Sequence, residues 1–382
     1  MKKPHVLVLF SDTGGGHRSA SEAIIEALTL EFGDSISSEM VDFFKEYAPI
    51  PFNKMPEIYP QLVKAPHLWG AGFYATDGRA RARALTTAFR PYAARAAKKL
   101  LTNHPSDVVV TTHLAATSSG LWALGKNRTR RFISVVTDPV TTHALWFDSR
   151  ADLILVPTEY ARERALAYHM PPEKIFVVGQ PVSDRYCTPP GDKPALRQKL
   201  GWPQDKLIAL LIGGGDGMGP LAANAEAIDE SGLDLGLAIV AGRNEKLKAK
   251  LEARKWRVPT RIYGFTRELP DFMRAADAIV TKAGPGTIAE ALIAGLPIIL
   301  NARLPGQEDG NVTYVQKERV GVWAPRSERV VQTLKKWLET PNDRERFSEN
   351  CRRAARPESA RIIARFIGSQ VGLCAEPELG EV

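Results

Sequence analysis

The segment VTKAGPGTIAEALIAGLPIIL, Val280–Leu300, has the pattern of a complete strand–helix–strand unit. An apolar strand ends at Lys282, the small residues Ala283–Thr287 begin a helix, and the apolar run Pro297–Leu300 supplies a second strand. Neither strand alternates polar and apolar residues, which is typical of parallel strands that are buried on both faces. This segment therefore predicts an α/β fold built on a parallel sheet.

The same pattern recurs along the chain in two series, separated by a Pro- and Gly-bearing stretch at 180–194. The first series of predicted strands is 6–10, 107–113, 131–138, 152–158 and 175–179; the second is 207–217, 235–242, 261–265, 278–284 and 297–300. A chain of 382 residues is longer than a single hydrophobic core usually accommodates. We therefore predict two Rossmann-like domains whose parallel sheets face each other across a cleft. The expected boundaries are 1–185 for an N-terminal domain and 200–355 for a C-terminal domain. A C-terminal helix and tail at 356–382 could pack back on the N-terminal domain.

Composition indicates a soluble globular protein, with 44% apolar and 25% charged residues and a formal net charge of +8. No apolar run approaches the ~18 residues that a membrane-spanning helix needs. Cys187, Cys351 and Cys374 are scattered without metal-ligand spacing, which favours a reducing, cytoplasmic setting.

A basic segment at 79–99 contains no acidic residue. Its cations are Arg79, Arg81, Arg83, Arg90, Arg95, Lys98 and Lys99. An apolar and aromatic segment, Ile50–Tyr74, precedes it, and this combination suits the surface of an anionic membrane. The alternative is a solvated basic helix over ordinary core contacts. No nucleic-acid-binding motif accompanies the charge, so nucleic acid is not an expected partner.

Two glycine-rich turns are candidate phosphate sites. The first follows a predicted strand and contains Gly213, Gly214 and Gly215, whose bare N–H groups could bind an anion or could simply form a tight turn. A dinucleotide site is less well supported there, because no acidic residue ends a suitably placed second strand. The second turn begins a helix and consists of Gly284, Pro285, Gly286 and Thr287.

Polar residues accompany the second turn. Glu290 lies one helical turn further on, where its carboxylate could accept hydrogen bonds from the two hydroxyls of a ribose or could only complement the helix N-terminus. The turn Arg303–Asn311 offers Gln307, Glu308 and Asn311, an amide and carboxylate set suited to sugar hydroxyls. An exposed polar turn without a ligand is the alternative.

Four long motifs carry a resemblance to a known family. They are SDTGGGHRSASEAI (11–24), PFNKMPEIYPQLVK (51–64), TDPVTTHALWF (137–147) and TKAGPGTIAEALIAGLPIILNARLPGQEDGN (281–311). The chain resembles the monogalactosyldiacylglycerol synthases and related diacylglycerol glycosyltransferases, which are inverting enzymes of the two-domain GT-B fold. The resemblance runs from about Val6 to Pro325. A more distant similarity is to the peptidoglycan GlcNAc transferase that acts on a lipid-linked acceptor.

The resemblance implies an inverting transfer of galactose or glucose from a UDP-sugar to 1,2-diacylglycerol, giving a β-monoglycosyldiacylglycerol. In the C-terminal domain, Gly284–Thr287 would meet the diphosphate, Glu290 the ribose, and Gly264 with Phe265 the uracil. Gln307 and Glu308 would contact the sugar, with Gly213–Gly215 and Asn311 completing the donor site. The acceptor would lie near Gly15, Gly16, His143 and Trp146. No cofactor or catalytic metal is expected, and the membrane-facing segments imply peripheral attachment to the inner face of a membrane.

One position departs from the family pattern. Related sequences commonly have arginine where this chain has Ser183, and Arg185 lies two residues further on. The resemblance therefore leaves open whether Arg185 supplies the missing phosphate contact.

The resemblance also suggests the catalytic base. Attack by a neutral hydroxyl on a sugar needs a proton acceptor, and a histidine with an ordinary pKa of ~6.5 suits that role. We expect His17, which follows three glycines, to be this base; capping, packing or phosphate binding are its alternative roles. His143 and Asp138 are the next candidates, and Asp12 is a candidate for orienting His17.

Three other functions fit parts of the pattern. A UDP-sugar epimerase shares the two-domain architecture but needs no lipid. A non-catalytic protein that binds UDP-sugar or anionic lipid would show no turnover, and a nicotinamide oxidoreductase would bind NAD(P)H.

Overall fold

The computed structural model describes residues 3–62, 65–188, 191–215, 217 and 219–379. Residues of four segments discussed above therefore lie outside the described part: Val63 and Lys64, Pro189 and Pro190, Asp216 and Met218, and 380–382. The chain divides into two compact units. The first comprises Met1–Asp184, Leu304–Gly310 and Pro357–Val382, and the second comprises Arg185–Arg303 and Asn311–Arg356.

The first unit is an α/β layer structure. In chain order its elements are β1 His5–Phe10, α1 Gly16–Phe32, β2 Ser37–Asp42, α2 Phe43–Tyr47, α3 Met55–Leu62, α4 Pro66–Thr76, α5 Arg79–Asn103, β3 Val108–Thr111, α6 Leu114–Leu124, β4 Arg131–Val135, β5 Leu153–Val156, α7 Glu159–Ala167 and β6 Ile175–Val177. Within the described residues, the strands form a six-stranded parallel sheet in the order β2-β1-β3-β4-β5-β6. This sheet confirms the α/β prediction for the first half of the chain.

The second unit repeats this architecture. Its elements are α8 Asp184–Cys187, α9 Lys193–Leu200, β7 Leu207–Ile212, α10 Leu221–Glu230, β8 Leu235–Val240, α11 Glu245–Glu252, β9 Thr260–Tyr263, α12 Leu269–Ala275, β10 Ala278–Lys282, α13 Pro285–Ile293, β11 Ile298–Ala302, α14 Asp309–Lys317, β12 Gly321–Trp323, α15 Ser327–Glu339 and α16 Pro341–Ala354. The strand order is β12-β11-β10-β7-β8-β9, and all described pairings are parallel. Two boundary elements are shared: Asp184 of α8, and Asp309 and Gly310 of α14, belong to the first unit.

Two edge strands, β2 and β12, were not predicted from the sequence. The strand β2 has the sequence SSEMVD and is only partly buried along most of its length, and β12 is three residues long. Periodicity detects strands by their burial, so a polar or very short edge strand gives no signal. Each sheet therefore has one strand more than predicted.

The last helix, α17 Ser359–Ser369, belongs to the first unit although it follows the second in sequence. Its residues Ile363, Phe366 and Ile367 are fully buried and share one apolar cluster with Ile24 and Leu28 of α1. The core of the first unit is thus completed by residues more than 300 positions away from its first helix.

Candidate active site

The carboxyl ends of β1, β3 and β4 meet at one edge of the first sheet, because these strands are neighbours in the parallel order. The segment after β1 leads to His17, the segment after β3 contains Thr112 and His113, and the segment after β4 contains Thr137 and Asp138. Each of these five side chains is at most 8% exposed. The fold thus gathers titratable and hydroxyl groups from three distant parts of the sequence.

His17 lies in the first turn of α1, and its ring is held in one orientation by the segment after β3. Its Nδ1–H donates to the carbonyl oxygen of Thr112 at 2.7 Å, with the hydroxyl of Thr137 3.3 Å from the same nitrogen. Since Nδ1 carries the proton, Nε2 holds the lone pair, and this nitrogen accepts no hydrogen bond within the described residues. This tautomer is the one that a general base requires.

The role suggested for Asp12 is wrong. Its carboxylate accepts hydrogen bonds from the Arg18 guanidinium at 2.9 and 3.2 Å, and it makes no bond to the His17 ring. The backbone carbonyl of Thr112 orients the imidazole instead, which sequence adjacency could not reveal.

The other two histidines of this region hold the opposite tautomer. Nδ1 of His113 accepts from the N–H of Ala115 at 3.2 Å, so its Nε2–H donates to Thr13 at 3.0 Å. In the same way, Nδ1 of His143 accepts from the N–H of Leu145 at 3.1 Å, and its Nε2–H faces Thr76 at 3.2 Å. Both lone pairs are therefore occupied by backbone N–H groups, and neither histidine can accept a proton without losing such a bond.

Burial keeps these rings neutral. Desolvation lowers the pKa of His17 from 6.5 to about 4, against the opposing effect of the Thr112 carbonyl. Desolvation also lowers the pKa of His113, aided by the charge of His17, whose ring centroid is 4.5 Å away. Burial likewise lowers the pKa of His143. At neutral pH His17 is thus an unprotonated acceptor.

The glycine turn before His17 leaves open space. Gly14 has a φ of +79°, which favours glycine, and a Cβ there would come within 3.0 Å of the Tyr59 ring. No atom lies within 4 Å of the position that a Cβ would take on Gly15 or Gly16. A ligand can therefore approach the first turn of α1 along its backbone.

Asp138 is a buried carboxylate with two structural partners. Its Oδ2 accepts from the indole N–H of Trp146 at 2.6 Å, and its Oδ1 accepts from the Gln307 amide at 3.3 Å. Burial raises the pKa of Asp138 to about 6, and the nearby charge of Glu308 adds to this effect. Because each oxygen already accepts a hydrogen bond, this arrangement fits a positioning residue better than a base.

The predicted acceptor residue Trp146 is completely buried in the core of the first unit, so its role there is packing and the hydrogen bond to Asp138.

The three polar residues predicted at the donor sugar belong to different units. Gln307 and Glu308 lie in the first unit, whereas Asn311 lies in the second, where its amide donates to the carbonyl of Ala283 at 2.8 Å. One carboxylate oxygen of Glu308 accepts a hydrogen bond from the N–H of Leu304 at 2.7 Å, which stabilises the turn between these two residues.

The second unit presents its glycine-rich turns at the ends of two adjacent strands, β7 and β10. At the start of α13 no acidic residue occupies the first turn, and no atom lies within 4 Å of the Cβ position of Gly286. The Lys282 side chain passes 3.6 Å from the Cβ position of Gly214, and the Arg243 guanidinium 3.1 Å from that of Gly215. Two cations beside the turn after β7 and the open N-terminus of α13 thus follow adjacent strands, an arrangement that suits an anion.

Glu290 lies on α13, where Tyr186 donates a hydrogen bond to its carboxylate. Desolvation raises the pKa of Glu290 to about 8, although the Arg185 cation and the Tyr186 hydroxyl oppose this rise. The positive charge of Arg185 thus interacts electrostatically with the Glu290 carboxylate. Ser183, at the position of the usual arginine, donates to Glu26 at 2.6 Å within the first unit.

The predicted uracil contacts also lie in the second unit, just after β9. Phe265 is 63% exposed, and the Arg243 guanidinium lies 5.4 Å from the centre of its ring. Gly264 follows the last residue of β9, and its Cβ position is 3.5 Å from the Lys248 side chain. The exposed ring offers a surface on which a planar base can stack.

Sequence reasoning missed four polar residues of these sites: Thr112, His113, Thr137 and Tyr186. The first three lie at the carboxyl ends of the predicted strands 107–113 and 131–138, and they directly follow or lie two residues beyond the observed strands β3 and β4. Because parallel strands share their carboxyl edge, this placement was a usable signal. Tyr186 follows Arg185 in the stretch 180–194, where only Ser183 and Arg185 were considered for a ligand contact.

The part of the chain that the structure describes has no group of three or more His, Cys, Asp or Glu side chains arranged to hold a metal ion. In that same part, no helix combines the length and apolarity needed to cross a membrane.

Solved structures with the same architecture define the class of fold. MurG from Acinetobacter baumannii matches with a TM-score of 0.61 at 15% identity, over 96% of this chain and 99% of that one. A UDP-GlcNAc 2-epimerase from Neisseria meningitidis, solved with bound UDP-GlcNAc, matches with a TM-score of 0.58 at 13% identity, over 96% and 100%. The protein therefore has the GT-B fold of glycosyltransferases and related epimerases.

Sequence comparisons identify the family. The family model "Monogalactosyldiacylglycerol (MGDG) synthase" matches residues 17–182, and "Glycosyltransferase family 28 C-terminal domain" matches residues 220–365. Monogalactosyldiacylglycerol synthase 2, chloroplastic, of Arabidopsis thaliana is 36% identical over 374 residues, which cover 95% of this chain and 80% of the relative. The chain belongs to the monogalactosyldiacylglycerol synthase family, as its motifs predicted.

Proposed function

We propose that this protein transfers galactose from UDP-galactose to 1,2-diacylglycerol and forms a β-monogalactosyldiacylglycerol. The family supports the reaction and galactose as the sugar, since the matched relatives are monogalactosyldiacylglycerol synthases. The single structural observation that carries the proposal is the His17 tautomer: Nδ1–H is bonded to the Thr112 carbonyl, and Nε2 accepts no hydrogen bond from the described residues.

The chemistry follows from that tautomer. The free hydroxyl of diacylglycerol attacks the anomeric carbon of galactose, and the bond from that carbon to the UDP oxygen breaks with the electron pair leaving on UDP. Nε2 of His17 takes the hydroxyl proton as the new bond forms. A single displacement inverts the anomeric centre, so an α-linked donor gives a β-glycoside.

The leaving UDP carries developing negative charge, which the second unit is suited to stabilise. In this proposal the diphosphate binds at the N-terminus of α13, where the helix dipole and the N–H groups of Gly286 and Thr287 favour an anion. Lys282 and Arg243, beside the turn after β7, add two positive charges. Glu290 accepts hydrogen bonds from the ribose hydroxyls.

The protein acts, in this proposal, at the inner face of an anionic membrane to which it attaches peripherally. The seven cations of α5 are all exposed. Ile50 is 80% exposed and Leu68 is 76% exposed, and both belong to the apolar segment that precedes α5 in the sequence. Such a combination binds headgroups electrostatically and inserts apolar groups only shallowly.

The experiment is an incubation with radiolabelled UDP-galactose or UDP-glucose and anionic vesicles that contain diacylglycerol. We expect a labelled β-galactosyl lipid from UDP-galactose and much less product from UDP-glucose. Conversion of the UDP-sugar without lipid would identify an epimerase, and UDP binding without any turnover would identify a binding protein. Either result would overturn the proposal.

A further inference from the structure

A cavity of about 340 Å³ lies in the first unit, lined by α2, α5, α6 and the 3-10 turn at Phe52. This volume falls within the range of ~300–1,000 Å³ that is usual for small-molecule sites. One face of α5 forms a wall, with residues spaced three or four apart: Leu85, Phe89, Tyr92, Ala96 and Leu100. The cavity thus runs along the amphipathic face of the basic helix.

The residues that line the cavity are mostly apolar. No charged side chain is among the described lining residues. Four of the lining hydroxyls have protein partners: Ser118 donates to Asp148, Ser119 to the carbonyl of Ala115, and Thr86 to the carbonyl of Arg83, while Tyr47 pairs with the His104 ring. This lining suits a hydrocarbon group as its occupant.

One end of the cavity adjoins the histidine cluster. Phe43 and Phe44 line the cavity and contact the edge of the His113 ring, with ring centroids 5.3 and 5.7 Å apart. The His113 ring in turn lies 4.5 Å from that of His17. This end of the cavity therefore lies two ring contacts away from His17, through Phe43 or Phe44 and then His113.

The other end of the cavity is open and aromatic. Phe52, Phe89 and Tyr92 line it and remain 37%, 42% and 66% exposed. On the outer positions of the same helix, Arg90 and Arg95 are exposed cations. Exposed aromatic rings beside cations are complementary to the interface of an anionic lipid bilayer.

We propose that this cavity binds one acyl chain of the diacylglycerol acceptor. The glycerol end lies toward His113 and His17, and the chain leaves past Phe52, Phe89 and Tyr92 toward the bilayer. This inference rests on the proposed function, because it places the acceptor of that reaction. It predicts that the cavity sets the preference for acyl-chain length.

The first test fills the cavity. Ala96 lines it and is partly buried, so Ala96→Phe occupies its volume without removing a polar group. We expect the KM for dioleoylglycerol to rise about tenfold or more, the KM for dioctanoylglycerol to rise less, and the KM for UDP-galactose to stay unchanged. The matched control is Ala88→Phe, which makes the same change at an exposed position outside the cavity.

The second test takes its main measurement from the native protein. Trp122 lines the cavity, so a diacylglycerol with brominated acyl chains should quench its fluorescence. We expect this quenching in the native protein and expect the quenched component to disappear in Trp122→Phe.

The outcomes separate this inference from the function on which it rests. Suppose that the native protein transfers galactose, that Ala96→Phe and Ala88→Phe have the same chain-length preference, and that Trp122 is not quenched. This result would overturn the acyl-chain site alone. Quenching of Trp122 without galactose transfer to any lipid would overturn the proposed function and leave a site for apolar chains.

Discussion

The hydrogen bond from Nδ1–H of His17 to the Thr112 carbonyl decides which ring nitrogen can accept a proton. His113 and His143 lie in the same unit and are also buried, yet each has its Nδ1 lone pair occupied by a backbone N–H. Residue type alone therefore does not select the base. The local backbone partner makes His17 the candidate.

Replacing His17 by alanine should lower kcat by ~10²–10⁴-fold, because a general base contributes about that much. Steady-state turnover of UDP-galactose with diacylglycerol vesicles measures this loss. Affinity for UDP should barely change, since the proposed nucleotide site is built from the second unit. The control is His169→Ala at an exposed histidine; retention of activity within a few-fold in the His17 variant would assign the proton transfer to another group.

The pH dependence of kcat/KM tests the same residue without a substitution. A base works when unprotonated, and the pKa of His17 is lowered to about 4, so activity should be flat from about pH 8 to pH 5 and fall as the pH drops through about 4. A loss centred near pH 6 that disappears in Asp138→Asn would instead identify Asp138, whose pKa is raised to about 6. Fluorescence at each pH checks that the protein stays folded.

Glu290 should give UDP binding an unusual pH dependence. Its pKa is raised to about 8, so the carboxylate is mostly neutral at pH 7 and becomes charged as the pH rises above 8. The charged form accepts hydrogen bonds from ribose more strongly, so calorimetry should show tighter UDP binding at pH 9 than at pH 7.

Glu290→Gln serves as the matched variant, since it keeps the size and removes the charge. We expect about tenfold weaker UDP binding at pH 9 and little change of affinity between pH 7 and pH 9. An affinity equal to that of the native protein at both pH values would show that Glu290 does not contact the ligand.

At the scale of elements, the parallel order of the strands assembles both candidate sites. The segments after β1, β3 and β4 meet at one sheet edge, and those after β7 and β10 meet at the other. Each segment follows a strand that is buried along most or all of its length, so the rigid sheet fixes where its polar side chains lie. A polar residue directly after a buried strand is therefore the most useful sequence signal for function in this fold.

The basic helix α5 should control attachment to membranes. Each Lys or Arg near an anionic surface contributes roughly 1 kcal/mol, so replacing Arg95, Lys98 and Lys99 by glutamine should weaken vesicle binding roughly 100-fold. Sedimentation with phosphatidylserine vesicles measures this, and binding of the native protein should fall at high salt.

The control for α5 changes charge equally elsewhere. Arg329, Lys335 and Lys336 on α15 are exposed cations of the second unit, and their replacement by glutamine should leave vesicle binding nearly intact. Equal weakening by both triple variants would mean that net charge, rather than α5, determines attachment. Binding that resists high salt would indicate an apolar anchor.

At the scale of the whole molecule, the first unit depends on both ends of the chain. Its core includes α17, whose buried residues pack with α1. Ile363 is fully buried there, so Ile363→Ala should lower the free energy of unfolding by about 2–5 kcal/mol, and Ile363→Val by only about 0.5–1.5 kcal/mol. Urea titration measures both; equal stability of the alanine variant would show that α17 is not needed for this core.

Much of the fold was accessible from the sequence because it depends on local patterns. Runs such as Val6–Phe10 and Leu207–Ile212 are continuously apolar, so burial on both faces and a parallel sheet follow directly. The motifs also identified the family and singled out His17 and the turn at Gly284. These features are encoded by neighbouring residues, where periodicity and turn chemistry act.

The tertiary structure alone decided how distant segments combine. It paired His17 with the Thr112 carbonyl, gave Asp138 the partners Trp146 and Gln307, and joined Glu290 to Tyr186. It also assigned Leu304–Gly310 to the first unit and formed the cavity along α5. Tautomers, pKa shifts and cavities arise from desolvation and hydrogen bonds between residues far apart in sequence, and no local pattern specifies those neighbours.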